Sequence, residues 1–228
     1  MQGALAYRIS FVAGLIVFAI FAYGAAQPIA PCGDVNAKPA IVHFELARSV
    51  DDLRRIFGPP LNGCTKCSAQ EVAHLPDKLD AANWADMLGI IPGYGIFLIF
   101  FFLAGRDPRL WRVGVAIALI ACLADYVEDY DLAYLSHNHT VQTVWLAQLP
   151  WATGVKWIGV ALAGFAASVV LGRRGGWNWG WALIGAGGLA CTIAAIAWRG
   201  NYIPLAQASS AIWPVLLVVD AQGSFNRA

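Results

Sequence analysis

The sequence predicts an all-α polytopic transmembrane bundle of five or six helices with a small irregular extracytoplasmic loop region. Three observations predict it. Apolar residues make up 59% of the 228-residue chain and charged residues 13%, about half the ~25% charged content of soluble domains. The apolar residues are gathered in runs close to the ~20 residues that cross a hydrocarbon core of ~30 Å. A soluble chain of this size cannot bury so much apolar surface, because part of every helix must face water. Net charge is +1 with the basic residues scattered, which leaves no electrostatic footprint for nucleic acid. The expected partner is the lipid bilayer, with a lipid or small-molecule ligand; the sequence says nothing of oligomeric state.

The first run, residues 9–26, follows Arg8. It exceeds the ~7–15 residues of a cleavable signal core, so residues 1–26 read as a retained signal anchor. Residues 27–83 form the polar, cysteine-containing segment, punctuated by Pro28, Pro31, Pro39, Pro59 and Pro60. Within it Val42, Phe44 and Leu46 alternate with His43 and Glu45, which predicts a short strand. Ser49 stands three before Asp52 and predicts an N-cap for a short helix through Phe57, stopped by Gly58-Pro59-Pro60.

Residues 84–228 form the rest of the bundle. The second run, 84–104, is interrupted by Pro92, Gly93 and Gly95, a break that neighbouring helices tolerate in lipid. The third starts near Val113 and ends in Asp125, Glu128, Asp129 and Asp131. A loop over 131–150 leads to the fourth run, 151–172, and a glycine turn leads to the fifth, 177–198. The last run, 203–219, contains Pro204 and Pro214 and is the weakest candidate to span. Gly185, Gly187 and Gly188 predict close helix packing in the fifth run. Tryptophans at the run ends, Trp84, Trp111 and Trp151 among them, read as interfacial anchors.

Orientation follows from the short loops. The loops at 105–112 and 172–176 hold five arginines, and the loop at 131–150 holds no lysine or arginine. With Arg8 also inside, the N-terminus is expected in the cytoplasm and residues 27–83 on the periplasmic or extracellular side of a bacterial inner membrane. Three cysteines, Cys32, Cys64 and Cys67, then face an oxidising compartment, where a structural disulfide is the ordinary expectation. Three thiols allow three pairings and leave one over. Cys64-x-x-Cys67 lacks the βαβ context of a redox motif, and Ser68 stands where a haem-attachment motif needs histidine. No cofactor is expected.

Ionisable groups at membrane depth are costly and call for an explanation. Asp125 lies 13 residues beyond Arg112, or ~20 Å along a helix. Glu128 lies 16 beyond Arg112, ~24 Å from the inner face, and Lys156 lies 17 before Arg173, ~26 Å from it. Asp86 lies 20 before Arg106, about 30 Å up. Asp125, Glu128 and Asp129 are spaced i, i+3, i+4 and share one helix face. Lys156 is the expected counter-charge. Two readings fit: a register-fixing ion pair, often of little net stability, or an outward polar pocket with a carboxylate for proton transfer. Asp129 and Asp131, near the helix end, are expected to reach the headgroup region. His137 and His139 could join them in an oxygen–nitrogen metal site, but such a histidine pair in a polar loop is ordinarily solvated, so no metal ligand is assigned.

Several pieces in order carry a resemblance: Phe44-Glu45-Leu46-Ala47, Trp84-Ala85-Asp86, Leu123-Ala124-Asp125 leading to Glu128 and Leu132, and Trp151 followed by Lys156. Over residues 42–171 the chain resembles an uncharacterised family of small bacterial polytopic membrane proteins, whose usual Glu-Asn in the third span appears here as Glu128-Asp129. The resemblance implies no established activity; it implies that Glu45, Asp86, Asp125, Glu128 and Lys156 are the pocket residues. Three function classes follow. The chain binds or carries a polar or lipid head group at an outer-leaflet charged pocket, or it is a structural or assembly protein with a buried ion pair. The third class is a membrane enzyme using carboxylate acid/base chemistry, for which no nucleophile or cofactor motif is present.

Overall fold

A computed structural model of the chain describes residues 2–26, 29–33, 40–58, 67–105, 110–173 and 178–197, with Leu216 and Val218. Among these residues all regular structure is helical: α1 Gln2–Ala26, α2 Ala40–Glu45, α3 Val50–Phe57, α4 Ala69–Ala85, a π-helical turn Asp86–Ile90, α5 Ile91–Gly105, α6 Leu110–His137, α7 Val144–Gly172 and α8 Asn178–Ala197. Three helical stretches are long and apolar enough to cross a membrane: Gln70–Gly105, Leu110–His137 and Val144–Gly172, of 36, 28 and 29 residues. Since ~20 residues suffice for a span, each has about 8–16 residues to spare. Shorter apolar stretches lie at Ala4–Ile20 and Leu183–Ala194. The sixth run lies outside the described residues except for Leu216 and Val218.

The chain divides into two compact units. The first comprises Met1–Ala19, Pro92–Leu123 and Gly154–Ala228. Its helices approach through small residues, as packing without a hydrophobic driving force requires. A Cβ added at Gly114 would lie 2.5 Å from the Phe102 ring, and one at Gly159 would lie 2.9 Å from the Ala121 Cβ. Gly185 is pressed against Ser168, whereas Gly187 meets nothing within 4 Å, so only part of the predicted glycine face is a packing face. The buried Ser10 hydroxyl donates to the Phe97 carbonyl at 2.8 Å.

The second unit comprises Ile20–Ile91 and Ala124–Thr153. Its apolar core joins α2, α3 and α4 to the end of α6 and the start of α7, through Phe44, Leu53, Phe57, Leu79, Leu132 and Leu149 among others. The predicted helix after Ser49 is α3. The Ser49 hydroxyl accepts the Asp52 N–H at 3.2 Å, and Gly58 ends the helix at φ 88°, where only glycine is unstrained. The predicted strand is a correction: Ala40–Glu45 is helical. Ala40 and Phe44, one turn apart, are both buried in the same core, and that i, i+4 pair outweighs the apparent alternation.

The irregular loop expected over 27–83 is likewise too long. α4 begins at Ala69, fifteen residues before the predicted span. Ser68 and Glu71 close a capping box: the Glu71 carboxylate accepts the Ser68 N–H at 2.7 Å and the Glu71 N–H reaches the Ser68 hydroxyl at 3.3 Å. The predicted break at Pro92 is absorbed without interrupting the helix. Proline lacks an N–H and its ring crowds the carbonyl four residues back. The preceding turn widens, so that the Ile91 N–H bonds to the Asp86 carbonyl five residues earlier. The 131–150 loop shrinks to 138–143, because α6 runs to His137 and α7 starts at Val144.

One disulfide staples the second unit. Cys32 and Cys67 are bonded, with Cα atoms 5.3 Å apart. The Cys32 and Gly33 N–H groups both donate to the Ile56 carbonyl, at 2.9 and 3.1 Å, which pins the bridge to the end of α3. A Cβ on Gly33 would lie 2.0 Å from the Arg55 carbonyl oxygen, so this approach needs glycine. Cys64 lies outside the described residues.

Candidate acidic site

Four of the five predicted pocket residues belong to the second unit. α6 supplies Asp125, Glu128 and Asp129 from one inward stripe that continues into the apolar core at Leu132. Asp86 opens the widened turn that follows α4. One carboxylate oxygen from each of Asp86, Asp125 and Asp129 lies within 4.8 Å of the other two. Asp125 and Asp129 are each only 1% exposed. Two unit charges at that separation repel by roughly 3–4 kcal/mol at an effective dielectric constant of about 20. A cluster this tight therefore depends on positive charge or protons to offset it.

Glu128 and Glu45 are joined through a residue the sequence did not single out. The buried Thr153 hydroxyl, on the first half of α7, is hydrogen-bonded to the Glu128 carboxylate. It also donates to the Glu45 backbone carbonyl at 2.8 Å. α2, α6 and α7 thus meet at one hydroxyl.

Two further buried polar groups stand outside the predicted set: Asn83 was not singled out, and Asp131 was expected to reach the headgroup region. Asn83, one turn before Asp86, is 2% exposed, and its amide nitrogen has no hydrogen-bond partner. Asp131 is fully buried, and neither carboxylate oxygen accepts a hydrogen bond. The expectation that Asp129 and Asp131 reach toward headgroups is thereby corrected: both point inward. Their sequence signal was spacing. Asp129 stands one turn from Asp125, and Leu135, one turn after Asp131, is a core residue.

Lys156 belongs to the first unit. Its side chain is 7% exposed, and its ammonium lies 5.5 Å from the centroid of the Trp157 ring. His139, considered as a metal ligand, stacks on Phe57 with ring centroids 4.1 Å apart, and its Nδ1 lies 3.0 Å from the Ser136 carbonyl oxygen. That contact fixes the ring in the helix-ending turn, and His137 is exposed.

Comparison of the chain with protein-family models, with curated proteins and with solved structures gives no match in any of the three.

Proposed function

We propose that the chain is an integral protein of a bacterial inner membrane that binds the polar head of a lipid or of a small molecule at the acidic centre of its second unit. The observation that carries the reading is the convergence of Asp86, Asp125 and Asp129 within 4.8 Å. Acidic groups buried on membrane-length helices are costly and are retained where they contact a ligand, an ion or a proton path. The resemblance over residues 42–171 to small bacterial polytopic proteins directs attention to the same positions.

In this reading the N-terminus is cytoplasmic, five or six helices span, and residues 27–83 lie on the periplasmic side. The arginine-rich short loops favour that orientation. So does a disulfide between Cys32 and Cys67, since such bonds persist in oxidising compartments. Asp86 precedes Gly105 by 19 residues, ~28 Å along a helix. Asp86 is therefore expected at the outer boundary of the hydrocarbon, where a head group resides.

Native mass spectrometry of the full chain, released from bacterial membranes in mild detergent, tests the proposal. The expected result is a retained lipid or small polar molecule that is lost in Asp125→Asn. An identical complement of bound molecules in wild type and variant would overturn it.

One observation favours a second reading, a structural role. The Thr153 hydroxyl ties Glu45 to Glu128, as a register-fixing polar contact does. If Glu128→Gln keeps its melting temperature but loses the bound molecule, the structural reading fails; loss of folded protein with unchanged ligand in the surviving fraction favours it.

A further inference from the structure

We infer that Asp86, Asp125 and Asp129, with the amide of Asn83, form a site for one hard divalent cation of the magnesium, manganese or calcium type. The first support is spacing. Oxygen ligands of one ion are separated by at most twice the metal–oxygen distance, which is about 4.2 Å for magnesium and up to about 5 Å for calcium. The three carboxylate oxygens lie within 4.8 Å of one another, inside the calcium limit and a small adjustment from the magnesium one. All three donors are carboxylates, the ligand class that such cations take in preference to nitrogen or sulfur.

The second support is independent of the acids. Asn83 is almost wholly buried, yet its amide nitrogen has no hydrogen-bond partner, an arrangement that costs free energy unless a ligand completes it. Its place on the helix follows from its neighbours in α4. Leu79, one turn before, packs in the same apolar cluster as Leu132 and Leu135 of α6. Asp86, one turn after, meets Asp125 and Asp129 of α6. Asn83 lies on this same stripe of α4, between a residue of the apolar core and a member of the carboxylate group. The oxygen and nitrogen of an amide exchange places by a simple flip. A flipped amide turned toward the carboxylates would offer the ion a fourth, neutral oxygen.

The site also explains how an acidic centre accepts a head group that carries phosphate. An ion held by protein ligands keeps further coordination positions for water or for phosphate oxygens. This deepens the head-group reading, but ion binding is measured without any lipid, so the two fail separately.

The test is manganese binding to the purified full chain in detergent, stripped with a chelator and followed by electron paramagnetic resonance. One ion per chain is expected, displaced by magnesium or calcium, with affinity reduced at least tenfold in Asn83→Leu and in Asp129→Asn. Asn83→Asp keeps the folding problem separate. It adds a fourth carboxylate, so its melting temperature is expected to fall without metal and to recover when manganese is added. The inference is overturned if wild type binds none of the three ions at millimolar concentration. It is equally overturned if Asn83→Leu and Asp129→Asn bind manganese as wild type does, or if manganese leaves the melting of Asn83→Asp unchanged.

Discussion

The hydroxyl of Thr153 is hydrogen-bonded to the carboxylate of Glu128, 25 positions earlier in the chain. The same hydroxyl lies 2.8 Å from the Glu45 carbonyl, and a hydroxyl carries one proton. Both contacts are hydrogen bonds only if that proton is shared between the two acceptors or the Glu128 carboxyl brings a proton of its own. Either way the contact fixes α7 against α6 at the depth of the acidic centre.

Removing the hydroxyl is therefore expected to be costly. Thr153→Val keeps the shape but leaves Glu128 and the Glu45 carbonyl short of a partner, a loss of about 1–3 kcal/mol. Thr153→Ser is expected to retain most of the stability. Thermal melting of both variants in detergent gives the comparison, and equal melting of Thr153→Val and wild type would contradict the account.

The disulfide makes a separate prediction. Cys32 and Cys67 are 35 residues apart, and closing a loop of that size stabilises by about 2–4 kcal/mol. Peptide mapping without reductant is expected to recover a Cys32–Cys67 cross-link, and reductant is expected to lower the melting temperature. Recovery of Cys64–Cys67 in its place would overturn the assignment.

Phe57 lies at the centre of the second unit's core. Its ring meets Phe44 edge-on at 5.3 Å and stacks on His139. Phe57→Ala is expected to cost about 3–5 kcal/mol, concentrated in the second unit. Hydrogen exchange should rise in α2, α3 and α4 while the amides of α8 stay protected. A uniform rise, or none, would show that this core is not the local unit described above.

Gly33→Ala tests the close approach of the disulfide segment to α3. The added carbon would meet the Arg55 carbonyl oxygen at 2.0 Å, too near for a flexible neighbour to yield. Disulfide formation is expected to fall and the second unit to become protease-sensitive; unchanged oxidation and proteolysis would refute it.

Much of this was legible in the residues themselves. Runs of apolar side chains give three helices long enough to span, whatever their neighbours, because a backbone in lipid must satisfy its own hydrogen bonds. Ser49 with Asp52 and Gly58 with its prolines mark α3 by local chemistry alone. Ser68-x-x-Glu71 marked the start of α4 equally well, although the polar composition around it read as loop. The i, i+3, i+4 spacing put Asp125, Glu128 and Asp129 on one face before any contact was known.

Tertiary structure decided the rest. That Ala40–Glu45 is a helix depends on Phe44 finding the core beside Phe57, a preference no six-residue pattern contains. Which cysteine pairs with Cys32 depends on the end of α3 carrying Cys32 and Gly33 to within reach of Cys67. The meeting of Asp86 with Asp125 and Asp129, and of Thr153 with Glu128, depends on how far each helix slides along its neighbour. Helical periodicity sets the direction of a side chain, but only packing sets its height against the helix opposite.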